Sequence, residues 1–120
     1  MRISKVSDQF SVSPQIDYND VKTLADAGFT TIINCRPEGE EPSQPLSKAL
    51  HKAAKKASIN YHFIPFKPGR ATQEDRANFQ AALDESKGPV LAFCRSGMRA
   101  RGLYKALNKG PGFFAKLFGK

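Results

Sequence analysis

The chain has 120 residues, 40% hydrophobic and 25% charged, with 19 Lys and Arg against 11 Asp and Glu and a formal net charge of +8. That length supports one domain with a core of its own and not two, the composition is globular rather than disordered, and no apolar run nears the roughly 18 residues that span a bilayer. Cys35 and Cys94 alone make no disulfide framework, and the opening MRISKVSDQF lacks the apolar stretch of a secretory signal, so the expectation is a cytoplasmic protein with reduced thiols.

In chain order, Phe10-Ser11-Val12 is a weak first strand. Asp17 then serves as an N-cap, Val21, Leu24 and Ala25 have helical spacing, and Gly28 stops the helix. Phe29-Thr30-Thr31-Ile32-Ile33-Asn34 is β-branched and reads as a buried strand, leading into the polar loop Arg36-Pro37-Glu38-Gly39-Glu40-Glu41-Pro42. Leu46, Leu50, Ala53, Ala54 and Ala57 form a second helical stripe. Asn60-Tyr61-His62-Phe63-Ile64-Pro65-Phe66 is a third strand, closed by Lys67-Pro68-Gly69. Thr72 with Asp75 forms a capping box, and Phe79, Ala82 and Leu83 line one side of the helix it opens, with Gly88 beyond its end. Pro89-Val90-Leu91-Ala92-Phe93 is a fourth buried strand, and it delivers Cys94 into a turn. Strand–helix alternation of this kind argues for an α/β sandwich on a mainly parallel sheet.

The charge changes character at that turn. Residues 1–93 carry 12 basic and 11 acidic side chains, whereas Arg95, Arg99, Arg101, Lys105, Lys109, Lys116 and Lys120 follow with no acid among them. A strand, a cysteine, a tight turn at Gly97 and a helical pattern through Leu103 and Leu107 can aim successive backbone N–H groups at the sulfur. Such a setting favours a thiolate and supplies donors to an anion, and Arg99 could clamp an oxyanion in a bidentate pair. The plainer reading is an inert buried cysteine followed by a solvated basic helix.

The segment Cys94-Arg95-Ser96-Gly97-Met98-Arg99-Ala100 resembles the active loop of a bacterial family related to dual-specificity phosphatases, the phosphatase-like domain of beta-lactamase-hydrolase-like proteins, often labelled sulfur transferases. Three further stretches carry the same resemblance: Ser11-Val12-Ser13-Pro14-Gln15, Thr31 through Glu41 around Cys35, and Tyr61-His62-Phe63-Ile64-Pro65. The resemblance covers roughly residues 8–108 in consistent order. It implies a three-layer α/β/α sandwich with a mainly parallel four-stranded sheet, the Cys94 strand lying between the first and second and Cys94 at the carboxyl ends of the strands.

Against the His-Cys-x5-Arg-Ser/Thr pattern of protein tyrosine and dual-specificity phosphatases, the chain departs in three places. Phe93 replaces the His, Arg99 comes one place early to give Cys-x4-Arg, and Ala100 lacks the hydroxyl that assists the leaving thiolate. The shorter loop resembles that of rhodaneses, which holds a persulfide sulfur. Dual-specificity phosphatases also place an aspartic acid a few residues after Ile-Pro, which here falls near Pro68, and cleavage of a phosphate monoester without that acid leaves an alkoxide poorly stabilised. Sulfur transfer needs no such acid, because sulfite or a thiolate leaves unaided. Asp75 is nearby, but its place in the capping box accounts for it.

The expected function is therefore a cysteine-dependent enzyme, with sulfur transfer through a Cys94 persulfide ahead of phosphate monoester hydrolysis through a Cys94 thiophosphate. A catalytically inactive anion-binding module is the alternative from another class. Cys94 and Arg99 would carry the chemistry, Arg95, Ser96, Gly97 and Met98 would form the anion loop, and no metal or organic cofactor is implied. Cys35 has two readings, a small residue filling a strand end or a thiol that resolves oxidised or persulfidated Cys94. Arg36 and Glu38 are either site-shaping residues, as the resemblance implies, or members of a solvated rim loop. Glu40-Glu41 and His62 have no metal-ligand spacing, and His51 is assigned no role.

The partner expected is a small anionic or sulfur-containing substrate. Lys48, Lys52, Lys55 and Lys56 decorate a helix without interleaved aromatic residues, so no specific nucleic acid is expected. Residues 1–109 make the domain and 110–120 a basic aromatic tail with Phe113, Phe114, Leu117 and Phe118. That tail would dock on its own domain, on a second subunit or on a membrane surface.

Overall fold

The computed structural model describes the backbone of residues 1–117 and the side chains of residues 1–108; the side chains of the tail at 110–120 lie outside the described residues. Nine elements follow in chain order: β1 Ser4–Ser7, β2 Phe10–Ser13, α1 Tyr18–Asp26, β3 Thr31–Asn34, α2 Ser47–Lys56, β4 Asn60–Phe63, α3 Gln73–Glu85, β5 Val90–Phe93 and α4 Met98–Leu117. The sheet has five strands in the order β1-β2-β5-β3-β4. The four predicted strands pair in parallel, with β5 between β2 and β3 as the resemblance implies.

The expected four-stranded sheet needs one correction. β1 adds a fifth, antiparallel strand on the outer edge of β2, with Ser4 opposite Val12. Its sequence, SKVS, is exposed over the first half and only half-buried over the second, so it carries no alternating apolar signal. It becomes a strand because the edge of β2 offers unpaired backbone groups.

Local sequence places the helices. Asp17 accepts from the Asn19 and Asp20 N–H groups while Asp20 reaches back to the Asp17 N–H, closing a capping box at α1. Thr72 and Asp75 close the same device at α3, as the sequence predicts, with hydrogen bonds of 2.9 and 3.0 Å. α2 differs. Leu46 occupies the N-cap without a side-chain cap and is 59% exposed, outside the apolar stripe assigned to it.

Side chains alternate across each central strand and feed two cores. Ile32, Leu91 and Phe93 pack with Val21, Leu24, Leu50 and Ala54 of α1 and α2. Ile33, Ala92, Cys35 and Cys94 pack with Phe79 and Ala82 of α3 and Leu103 of α4. The result is helix, sheet, helix, with the loops after β3, β4 and β5 gathered at the carboxyl edge.

Candidate active site

β5 is apolar and wholly buried, and Cys94 follows its last residue, itself at 0% exposure. The chain then turns within three residues into α4. Gly97 takes φ +91°, and a Cβ there would sit 3.3 Å from the Ser13 backbone, so a residue with a side chain would be strained both by its own backbone and by β2. The Gly97 N–H donates to Cys94 Sγ at 3.0 Å. The Met98 N–H reaches Ser96 Oγ at 3.4 Å, and the Arg95 carbonyl accepts from the Gln15 N–H at 3.4 Å, so the loop is also tied to the segment after β2. Arg95, Ser96 and Met98 are exposed and Gly97 is buried.

Arg99 turns its guanidinium to the loop after β3. Its Nη1 donates to Glu40 Oε2 at 3.1 Å and to the Phe66 carbonyl at 3.2 Å, and its Nη2 donates to Glu40 Oε1 at 3.3 Å. Glu40 thus takes the outer edge of the fork. The Nε–Nη2 edge keeps two N–H donors without a partner among the described residues, which suits a second oxyanion.

Arg36 is not a rim residue. Its side chain is 2% exposed, and each guanidinium nitrogen is engaged: Nε with Glu40 at 2.9 Å, Nη1 with Gln15 at 3.0 Å and Nη2 with Glu41 at 2.7 Å. Burial works against its charge, but the bonds from Glu40 and Glu41 outweigh that and raise its pKa above the ordinary arginine value. Burial likewise works against the Glu40 charge, and the bonds from Arg99 and Arg36 overcome it, holding that carboxyl below the usual range. Glu41 also meets Arg95 at 3.3 Å. Glu40 and Glu41, given no role by their spacing, therefore join both arginines of the cysteine loop to a buried third. Gln15 is a further member, assigned no role by sequence although it ends one of the stretches that carry the resemblance.

Glu38 points elsewhere. Its carboxylate accepts from the Ser47 N–H at 3.0 and 3.3 Å and so caps α2 in place of the unsuited Leu46. Ser47 Oγ and Asn34 Nδ2 both bond the Tyr61 hydroxyl, at 2.7 and 2.9 Å, and Asn34 Oδ1 accepts from the Arg36 N–H at 2.9 Å. His51, without a role by sequence, stacks on Tyr61 with ring centroids 5.1 Å apart.

A cleft of about 360 Å³ opens beside Arg99 and Met98, walled by Phe66, Ala71 and Leu103. Pro68, near which the resemblance implies that the acid of dual-specificity phosphatases would fall, lines it, and none of its described lining residues is acidic. Asp75 is occupied in its capping box. Among the described residues no group of three His, Cys, Asp or Glu side chains is placed to hold a metal ion, and no helix is long and apolar enough to cross a membrane.

Comparison with known proteins bears on the family and the fold. The model of the family described as beta-lactamase hydrolase-like protein, phosphatase-like domain, matches residues 2–109. The chain is 38% identical over 104 residues to the beta-lactamase hydrolase-like proteins of Xylella fastidiosa (strain 9a5c) and Agrobacterium fabrum, covering 87% of this chain and 24% of each relative. It thus spans about a quarter of the length of the curated relatives it matches. Among solved structures it is similar to a candidate phosphatase of Neisseria meningitidis, at 31% identity and a TM-score of 0.75, covering 83% of this chain and 71% of that one. It is also similar in fold to the core catalytic domain of a PP-IP phosphatase of S. cerevisiae in complex with citrate, at 18% identity and a TM-score of 0.66, covering 89% of this chain and 64% of that one. TpbA of P. aeruginosa in complex with pTyr shares the fold at 18% identity and a TM-score of 0.60, with coverage of 89% and 61%.

Proposed function

This chain belongs to the family of phosphatase-like domains of beta-lactamase hydrolase-like proteins, and from that membership we propose that it is a cysteine-dependent enzyme whose Cys94 carries sulfur as a persulfide. The observation that carries the reading is the cleft beside Arg99. No acidic residue lines it among the described residues, Pro68 lying near where the resemblance implies the phosphatase acid would fall, and Glu40, on the other side of Arg99, is held ionised by two arginines and is a poor proton donor.

With thiosulfate as donor, the Cys94 thiolate attacks the outer sulfur, the S–S bond breaks and sulfite leaves with the electron pair. An acceptor such as cyanide or a thiolate then attacks the outer sulfur of the persulfide and restores the Cys94 thiolate. No step needs a proton donor. The free Nε–Nη2 edge of Arg99 holds a sulfonate or sulfite oxygen, the backbone of residues 95–98 cradles the anion, and the cleft receives the body of the donor or acceptor.

A second reading is hydrolysis of phosphate monoesters through a Cys94 thiophosphate, which the family description and the phosphatase fold of the solved neighbours favour. Parallel assays of thiosulfate:cyanide transfer and aryl-phosphate hydrolysis separate the two. Sulfur transfer predicts a gain of about 32 Da after thiosulfate, reversed by cyanide and absent in Cys94→Ser. Turnover should fall about a thousandfold or more in that variant. Cys94-dependent release from aryl phosphate without the adduct would replace the first reading by the second. Neither activity would leave an anion-binding module.

A further inference from the structure

Three elements wall the cleft beside the cysteine loop: the segment from Phe66 to Ala71 after β4, the start of α3 and the first turns of α4. Its volume of about 360 Å³ is that of a small-molecule site. Phe66 and Leu103 present apolar surface at 6% exposure each, and exposed Met98 extends the same wall. Gly102 leaves a gap on the α4 side. A Cβ there would meet nothing within 4 Å, and alanine is the better helix former, so this glycine adds room to the cleft at the expense of the helix. Cys94 does not line the cleft, which therefore holds the stem of a substrate and not its reacting end.

Two cations line this apolar space. Arg99 is engaged, with its outer edge on Glu40 and its other edge facing the reacting anion. Arg76, from α3, is not. It is exposed, and among the described residues no carboxylate pairs with it. Asp75 beside it is turned back onto the Thr72 N–H in the capping box. A guanidinium without a partner at an apolar cleft suits an anion carried on an apolar stem, and its fork can take both oxygens of a carboxylate.

We propose that the sulfur acceptor is a thiol on an unbranched apolar stem that ends in a carboxylate, with the stem in this cleft and the carboxylate on Arg76. The inference rests on reading Cys94 as a persulfide carrier. The acceptor thiol gives its proton to solvent, and the thiolate attacks the outer sulfur of the Cys94 persulfide. The S–S bond breaks, Cys94 leaves as a thiolate with the electron pair, and the acceptor departs as a persulfide. Cys94 is itself buried, which suits a slender thiol end better than a branched one.

The test gives the full chain thiosulfate as donor and, as acceptors, ω-mercaptoalkanoates from propionate to octanoate beside the ω-mercaptoalkanols of equal length. The readout is the ratio of kcat/KM for carboxylate over alcohol, in which thiol reactivity and any general loss in a variant cancel. Wild type should prefer the carboxylate about threefold at the best length and low ionic strength, and kcat/KM should rise about twofold per methylene up to that length. Arg76→Gln should bring the ratio to about one and Arg76→Lys should retain the preference. Arg70→Gln, in the same loop but outside the lining, should keep the wild-type ratio. Gly102→Leu fills the gap and should flatten the rise with chain length. The same ratio in wild type and Arg76→Gln, an equal fall in Arg70→Gln, or an unchanged rise in Gly102→Leu overturns the proposal. Thiosulfate:cyanide turnover of wild type is read alongside. Transfer to cyanide without a carboxylate preference refutes this acceptor and leaves the Cys94 chemistry standing, whereas no transfer to any acceptor refutes that chemistry and the acceptor with it.

Discussion

The loops that follow β3 and β5 leave neighbouring strands at the same edge of the sheet, yet they are held by opposite means. The cysteine loop is short and held mainly by backbone: a positive φ at Gly97, a close approach to Ser13, an N–H on the sulfur and the first turn of α4. The acidic loop is longer and held by side chains, through a buried guanidinium that grips Glu40, Glu41 and Gln15. The two meet where Glu40 and Glu41 also bind Arg99 and Arg95. One loop offers the reactive sulfur, and the other fixes the direction in which the arginines beside it point.

If that contrast is right, the heaviest cost falls on the side-chain-held loop. Arg36→Met leaves two carboxylates without their buried partner and should lower stability by about 3–5 kcal/mol, read from urea unfolding. A loss below about 1 kcal/mol would mean that the acidic loop does not depend on this hub. Gly97→Ala comes next, at about 1–3 kcal/mol, because it combines a disfavoured φ with a crowded Cβ. It should also cut Cys94-dependent turnover more than any change on the acidic loop.

Glu40→Gln should cost about 1–2 kcal/mol at neutral pH, since Arg36 keeps Glu41 and Gln15. Its signature is in the pH profile. A carboxyl with a lowered folded pKa binds fewer protons folded than unfolded, so its contribution is complete above the ordinary value of 4.5 and is lost as the pH falls through the lowered one. Wild type should therefore lose stability on acidification below about pH 4.5 more steeply than Glu40→Gln, and parallel acid-unfolding curves would contradict the pairing. The smallest effect belongs to Arg95→Ala. Its pair with Glu41 is 66% and 43% exposed, so stability should stay within about 0.5 kcal/mol of wild type, and a larger drop in the midpoint would show that the two loops are coupled more tightly than one exposed contact allows.

What could be read in advance divides along the same line. The Thr72–Asp75 box, the Asp17 cap and the apolar stripes of α1 and α3 are legible because their partners lie three or four residues away. The cysteine turn is legible for the same reason, since Cys94, Gly97 and the start of α4 are consecutive. β1 was not, because its strand character comes from pairing with β2. Leu46 matched a helical stripe by spacing alone and ended on the surface.

The acidic loop shows the limit most clearly. Arg36, Glu38, Glu40 and Glu41 form one polar run in the chain, yet they part in space: Arg36 goes inward, Glu38 to the start of α2, and Glu40 and Glu41 across to Arg99 and Arg95. The sequence by itself determined the strand–helix order, the helix starts and the sulfur set in a glycine turn, since each depends on torsions and hydrogen bonds within a few residues. Tertiary structure alone decided which carboxylate meets which arginine, because strand order and parallel register bring β3 beside β5 and with them residues as far apart as Glu40 and Arg99, 59 positions.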